Sequence, residues 1–436
     1  MLEIKHYIAY INSMIKQNWK NNPLWEMSDP KLGQLRALPL VLPHTGRLAR
    51  SIPLEPSGIL FVLGPRQAGK STFLRQYVQK AIAEGLAVER IGLIEAESLE
   101  SRHDLYSEMV DFCSSRNEYH LLLIDEITAL DKWWLALKLA ADEGALSNSL
   151  LICTGSSSQD LAEGADLLPG RRGRRYPLNF ELLPVAYADV ANHLSLEEFL
   201  LTGGFPWAVA EYLRSGAVPP FVYELYAAWI QGAQVKRSHS AKNLDSLLHY
   251  LSNRTGTGVS VAGMARDCGI GSNHTAEAYL RVMETNYIVM PCHWSEPGSG
   301  VSAPRKNRKF YPFDPLLYHL FHDFGRSLDS AWLNARQRIQ DSQRLGALVE
   351  SLVASELRRS LAMVPLRYFQ GRKEIDFVGE SAIEVKYQNR VSLDEFAWVS
   401  KVLPKDMPLT IITRQTRSRK GAIRAVPLRD WLLEDR

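Results

Sequence analysis

The chain has 436 residues, 46% hydrophobic and 23% charged, with 28 glycines and 22 prolines. At roughly 100–200 residues per domain this length predicts two to four domains with substantial cores, and the composition excludes collagen-like, coiled-coil and disordered classes. The 51 lysines and arginines against 48 aspartates and glutamates leave a net charge of only +3, so any basic surface has to come from local clustering.

Cys113, Cys153, Cys268 and Cys292 are too widely spaced for a CxxC pair. That argues against a zinc ribbon, a redox dithiol or a dense disulfide framework, and suits a reducing cytosol. Residues 1–20 carry a charge every few positions and lack the apolar core of a secretory signal. No stretch reaches the ~18 apolar residues of a membrane span. A soluble cytoplasmic protein without a membrane partner is the expectation.

In chain order, Ile4, Ile8, Ile11 and Ile15 recur at helical spacing, and residues 22–56 read as an irregular, proline-punctuated lead-in. From residue 58 to about 192, apolar runs of strand length (GILFVLG, RIGLIEAE, HLLLIDE, SLLICTG) alternate with helical patterns. Such alternation predicts a parallel sheet with helices on its faces. A helical stretch follows to about residue 229, interrupted by Gly203-Gly204 and Pro206, and residues 243–313 predict three short helices and a hairpin. Mixed α and β pattern returns from about residue 345. The expected segments are a lead-in over 1–56, an α/β nucleotide-binding core over 57–192, a helical lid or linker over 193–242, a winged-helix-like part over 243–318 and a terminal part over 319–436.

Gly64-Pro65-Arg66-Gln67-Ala68-Gly69-Lys70-Ser71, followed by Thr72, fits GxxxxGK[ST] and stands directly between an apolar strand and a helical run. Glycines let the backbone wrap an anion, so that loop amides and a helix N-terminus point at a β-phosphate. Lys70 is expected to reach the β and γ oxygens and Ser71 to hold Mg²⁺. Hydrolysis also needs a carboxylate for the metal and a group that orients water. Asp125 and Glu126, ending the run LLLIDE, are placed for those two tasks. Thr154 and Ser156, at the end of SLLICTGS, either sense the γ-phosphate or cap the next helix. In Gly170-Arg171-Arg172-Gly173-Arg174-Arg175 one arginine is a candidate finger for the γ-phosphate of this or a neighbouring copy, which would imply a homo-oligomer. A solvated basic loop and a DNA-backbone contact are the other readings.

LGPRQAGKST, LLLIDEI with Trp133-Trp134, ICTGSSS, the Gly170-Arg171 pair and FLLTGGFPWAV together resemble a prokaryotic family of AAA-type ATPases in which a GPRQ-G-K-T/S loop precedes a C-terminal part of unknown role. The resemblance runs from about residue 58 almost to the C-terminus. It implies an AAA-type ATPase core, a winged-helix region and a nuclease-like terminal fold. It also implies ATP and Mg²⁺ as cofactors, nucleotide contacts at Lys70 and Ser71, metal and water carboxylates at Asp125 and Glu126, a sensor over 154–156 and a finger at Arg171.

Residues 259–285 read as helix, glycine-containing turn and helix, followed by two strands, the order of a winged helix-turn-helix. His274, Thr275 and Arg281 are then candidates to face DNA, with Arg305, Lys306, Arg308 and Lys309 as a basic wing; Glu277 and Glu284 oppose this, and winged helices also serve as spacers. Near the C-terminus Asp376, Glu384 and Lys386 resemble the D…ExK core of PD-(D/E)xK nucleases, with Glu350 as the upstream helical acid. Glu384 and Lys386 lie two apart on a strand and so share a face. In an active site Glu350, Asp376 and Glu384 would hold Mg²⁺ and Lys386 would orient water. An inactive nuclease-like fold and a chance solvated face are the alternatives. Arg414, Arg417, Arg419, Lys420 and Arg424 form a candidate phosphate-binding stripe or a soluble loop.

Two functions follow as expectations. One is an ATP-dependent DNA-processing or defence enzyme in which nucleotide state controls the nuclease-like domain. The other is a nucleotide-gated scaffold or regulator whose terminal domain only binds DNA or a protein; a slow-turnover switch is a third.

Overall fold

The computed structural model describes residues 43–113, 118–155, 157–174, 177–235, 240–303, 306–360 and 364–434. The amino-terminal isoleucine pattern, Ser156, Arg175 and Arg305 lie outside these residues. Within the expected irregular lead-in stands a helix, α1 (Pro43–Ser51). Its proline occupies the first helical position, where no amide donor is required.

The apolar runs become β1 (Gly58–Leu63), β2 (Ile91–Glu95), β3 (His120–Asp125) and β4 (Ser149–Thr154), with β1, β3 and β4 buried at every position. Continuous burial is what a parallel strand covered on both faces requires. The intervening helices are α2 (Lys70–Ala83), α3 (Arg102–Phe112), α4 (Trp134–Asp142) and α5 (Ser158–Asp166). A short edge strand, β5 (Asn179–Glu181), completes a five-stranded parallel sheet of order β2-β3-β4-β1-β5. Alternate residues of β1 feed two cores. Ile59, Phe61 and Leu63 pack with Ile124, Trp133 and Leu151, whereas Leu60 and Val62 pack with Phe73, Tyr77 and Leu123.

The chain divides between Leu183 and Pro184 into two units. The second begins with helices α6 (Tyr187–Val190), α7 (Leu196–Thr202), α8 (Pro206–Ser215) and α9 (Pro220–Val235). The glycine pair between α7 and α8 is forced by close approach. A Cβ on Gly203 (φ 67°) would overlap the Asp314 carboxylate, and one on Gly204 the Val185 carbonyl. Asp314 accepts from the Gly204 amide (2.8 Å) and the Leu316 amide (2.8 Å), and burial raises its pKa to about 7.

Three helices follow, α10 (Ala241–Asn253), α11 (Val261–Asp267) and α12 (Asn273–Thr285), then the antiparallel pair β6 (Val289–Trp294) and β7 (Arg308–Pro312). This is the element order expected for residues 243–313. The hairpin, however, is part of a larger sheet. After α13 (Pro315–Asp323), α14 (Ala331–Arg338) and α15 (Ser342–Ser360), strand β8 (Leu366–Gln370) pairs parallel with β6 and antiparallel with β9 (Glu374–Ile375), giving the order β7-β6-β8-β9. The expected border at 318/319 therefore separates segments that share one sheet. Strands β10 (Phe377–Val378), β11 (Ala382–Val385), β12 (Leu409–Thr413), β13 (Ser418–Lys420) and β14 (Ile423–Pro427) form a further sheet of order β10-β11-β12-β14-β13, closed by α16 (Leu428–Leu433). Among the described residues no helix is long and apolar enough to cross a membrane.

Candidate functional site

In the first unit, β1 runs into a loop in which Gly64 (φ 151°), Gln67 (φ 63°) and Gly69 (φ 100°) adopt left-handed backbone conformations. These reversals wind the loop into an anion-binding concavity ahead of α2. For Gln67, which has a Cβ, such a conformation costs on the order of 1–3 kcal/mol, typical of strain held at a binding site. The loop also packs against backbone, since a Cβ on Gly64 would overlap the Leu182 carbonyl oxygen. The His44 ring of α1 is hydrogen bonded to the Ala68 carbonyl (2.9 Å). Lys70 is buried, and its ammonium donates to the Gly64 (3.0 Å) and Pro65 (2.8 Å) carbonyls. Burial lowers its pKa to about 8, although Glu126 and Asp125 pull the other way.

Because β4 lies between β1 and β3, Thr154 is paired with Val62 on one side while Cys153 is paired with Ile124 on the other. This register brings the carboxyl ends of three strands to one edge, the usual ligand crevice of an open α/β sheet. There the Thr154 hydroxyl donates to Asp125 Oδ1 (2.5 Å) and accepts from the Glu126 amide (3.2 Å). Glu126 itself is left-handed (φ 56°). Thr154 thus fixes both acidic residues. The hydroxyl of Ser71 and the carboxylate of Asp125 are hard oxygen donors. As a small set without a dedicated protein cage they fit Mg²⁺, which keeps several waters and shares phosphate oxygens.

The arginine segment lies elsewhere. Ile59, near the start of β1, donates its amide to the Arg172 carbonyl (3.1 Å), and Gly173 bridges to Gly58. From there to the phosphate loop is the length of β1, roughly 17 Å at 3.3 Å per residue. Arg172 is structural: its guanidinium donates to Leu178 O (2.5 Å), Asn179 Oδ1 (2.6 Å) and Ile59 O (3.2 Å) and lies 4.6 Å from the centre of the Phe61 ring. Arg171 forks onto Asp142 (2.6 and 3.1 Å). The expectation that Arg171 serves the phosphate of its own copy is therefore corrected, because it is anchored at the opposite end of β1.

In the second unit, Asp376, between β9 and β10, Glu384 on β11 and Lys386 just beyond it line one cavity of about 490 Å³, with Glu374, Glu395 and Trp398. Lys386 Nζ is 2.8 Å from Glu384 Oε1, and the Asp376 amide donates to Glu384 Oε2 (3.3 Å). Asp376 Oδ2 accepts from the Val385 amide (2.8 Å). What sequence reasoning missed is Lys309. Expected on a basic wing, it is fully buried, with its ammonium 3.1 Å from Glu350 Oε1, 2.5 Å from Glu374 Oε1 and 3.1 Å from Asp376 Oδ1. Burial opposes that charge, but the three carboxylates outweigh it and raise the lysine pKa. Burial and the neighbouring Asp376 charge raise Glu350 to about 7 and Glu384 to about 8. Tyr311 adds a hydrogen bond to Glu350 (2.6 Å). With an ammonium already among Glu350, Glu374 and Asp376, and Glu384 bound to Lys386, these acids do not fit a divalent cation as arranged. Among the described residues no cluster of three His, Cys, Asp or Glu is disposed to hold a metal.

Other basic residues are also engaged. Arg308 pairs with Glu277, Lys420 with Asp394 (2.6 Å), Arg417 with Asp430 (2.5 Å) and Arg424 with Glu434 (3.0 Å). Arg414 lies 5.9 Å from the centre of the Tyr387 ring. His274 and Arg281 remain exposed on α12. Three of the five basic residues of the terminal stripe, Arg417, Lys420 and Arg424, are thus paired with acids.

Residues 56–190 match the family described as AAA domain, and residues 193–327 match a domain of unknown function, DUF8612. An uncharacterized protein of Haemophilus influenzae (strain Rd) is 27% identical over 352 residues, 76% of this chain and 81% of its own. Among solved structures, the Walker-type ATPase PABY2304 of Pyrococcus abyssi aligns over 64% of this chain and 94% of its own at 17% identity, TM-score 0.43. The Aeropyrum pernix Orc1 protein in complex with DNA aligns over 74% and 97% at 13% identity, TM-score 0.30. The family match over residues 56–190, on a parallel sheet that ends in a GxxxxGKS loop, identifies this part of the chain as an AAA-type P-loop ATPase-like domain.

Proposed function

We propose that the chain binds ATP with Mg²⁺ and hydrolyses it, and that nucleotide state gates a second unit that engages DNA or a protein partner. The observation that carries the hydrolytic part is the Thr154 hydroxyl held between Asp125 and Glu126 at the edge of the sheet that bears the phosphate loop. In this reading loop amides from Gly64 to Ser71, with Thr72 at the start of α2, hold the phosphates. Lys70 leaves the Gly64 and Pro65 carbonyls for the β and γ oxygens. Ser71 and Asp125 hold Mg²⁺, which when bound neutralises charge developing on the phosphates. Glu126 orients the attacking water and accepts its proton, and Thr154 holds the Asp125 carboxylate and the backbone amide of Glu126 in place.

For the second unit, Lys309 among Glu350, Glu374 and Asp376 favours a scaffold or regulator over a metal-dependent nuclease. The second reading, a DNA nuclease, is favoured by the convergence of Asp376, Glu384 and Lys386 on one cavity. ATP turnover and cleavage of linear, supercoiled and branched DNA with Mg²⁺ or Mn²⁺ separate them. Glu126→Gln is expected to keep nucleotide binding and lose turnover by about 10²–10⁴-fold, the usual contribution of a positioned base. Wild-type turnover retained in Glu126→Gln would refute its role. DNA cleavage by wild type that vanishes in Lys386→Ala would establish the nuclease and reject the scaffold.

A further inference from the structure

Away from both clusters, the second unit has a polar cavity of about 370 Å³ between α10, α13, α14 and the start of α15. We propose that it is a second ligand site, taking the phosphate group of a small phosphorylated molecule. The charge balance points to an anion. Arg326, Arg338 and Arg344 line the cavity with a single carboxylate, Asp323. That carboxylate is already saturated: Arg338 Nη2 donates to both its oxygens (3.1 Å each) and Asn334 Nδ2 to Oδ1 (3.2 Å). Three guanidinium groups against one carboxylate leave an excess of two positive charges, which matches a phosphate monoester better than a carboxylate.

The central arginine is also preorganised. Arg338 is 5% exposed, and its Nη1 bonds to His319 Nδ1 (3.1 Å). His319 is hydrogen bonded through Nε2 to the Leu200 carbonyl (3.0 Å), so Nε2 carries the proton and Nδ1 accepts. Burial and the Arg338 charge push the His319 pKa down to about 3, in keeping with a neutral ring. With Nη1 and Nη2 committed, Arg338 Nε is enclosed without a hydrogen-bond partner, and so is Nε2 of His322, a residue 9% exposed that lines the same cavity. Enclosed polar atoms without partners are costly and rare, and both belong to residues that line this cavity. Arg326 and Arg344 are exposed and, among the described residues, make no ion pair. They are free to close on the remaining phosphate oxygens. The volume is at the small end of ligand pockets, suited to a small molecule rather than a duplex.

The test uses the full chain carrying Lys70→Ala, which weakens the phosphate loop, and the arginine double variant below separates any binding that the loop amides retain. Calorimetric titration and thermal melting with inorganic phosphate and with AMP are compared with sodium chloride at equal ionic strength. Phosphate or AMP should bind and raise the melting temperature. Arg326→Gln/Arg344→Gln should weaken binding by at least about tenfold, in line with lost charged hydrogen bonds, while leaving the ligand-free melting temperature unchanged because both side chains are exposed. Tighter binding of AMP than of phosphate would assign a nucleotide, and equal binding the phosphate group itself. No response beyond chloride, an undiminished response in the double variant, or a response to a single-stranded oligonucleotide but to neither small probe would overturn the proposal.

Discussion

Lys70 shows what burial does to a single side chain. Its pKa of about 8 lies below the ordinary lysine value, and desolvation is the main cause. Phosphate binding requires the charged form. Below pH 8 the free protein already has it; above pH 8 the proton must be taken up on binding. Nucleotide affinity should therefore be flat from pH 6.5 to 7.5 and fall by up to about tenfold per pH unit above 8. Titration of a fluorescent ATP analogue across pH 6.5–9.5 measures this, and an unchanged affinity at pH 9 would refute it. The residues of this site were legible because their chemistry sits in short contiguous motifs. Lys309 was not, although a signal existed: neighbours on a strand face opposite ways, so of Arg308 and Lys309 one had to point inward. Arg308 turns out to Glu277 and Lys309 turns in to three acids.

At the scale of elements, the two adjacent arginines that look alike in sequence do different work. Arg172 ties the starts of β1 and β5 together through the Ile59, Leu178 and Asn179 contacts. Arg172→Ala should destabilise the first unit by about 2 kcal/mol, the scale of lost charge-assisted hydrogen bonds, whereas Arg171→Ala should melt as wild type does. Equal melting of both variants would refute the distinction. In the second unit Lys309 joins β7 to α15 through Glu350 and to β9 through Glu374. Lys309→Met leaves buried acids uncompensated and should cost about 3–5 kcal/mol. If the lysine stands where a cation would otherwise bind, Mn²⁺ should restore melting of the variant but not shift wild type. Failure of Mn²⁺ to do so would mean that the acids do not form a metal site even without the lysine. The parallel strands were readable from unbroken apolar runs. The pairing of β6 with β8 was not, because residues 292–294 and 366–368 meet across a long separation without any local mark.

For the molecule as a whole, the position of Arg171 restricts how copies can cooperate. It is held by Asp142 near the start of β1, about a strand's length from its own phosphate loop. A finger role for it is thus open only toward a neighbouring copy, in a head-to-tail contact that presents the amino-terminal edge of one sheet to the phosphate loop of the next. Asp142 would have to release the guanidinium on contact, which is feasible for an exposed pair that contributes little to stability. If so, turnover per copy should rise with protein concentration and level off once assembly is complete. Arg171→Ala should flatten that rise while leaving nucleotide affinity intact. Adding Lys70→Ala protein, which lacks its own turnover but keeps Arg171, should stimulate the Arg171→Ala variant. Steady-state ATPase assays over a hundredfold range of concentration, alone and in such mixtures, measure all three effects. Turnover independent of concentration, with no stimulation in the mixture, would leave Arg171 as a surface partner of Asp142 and nothing more.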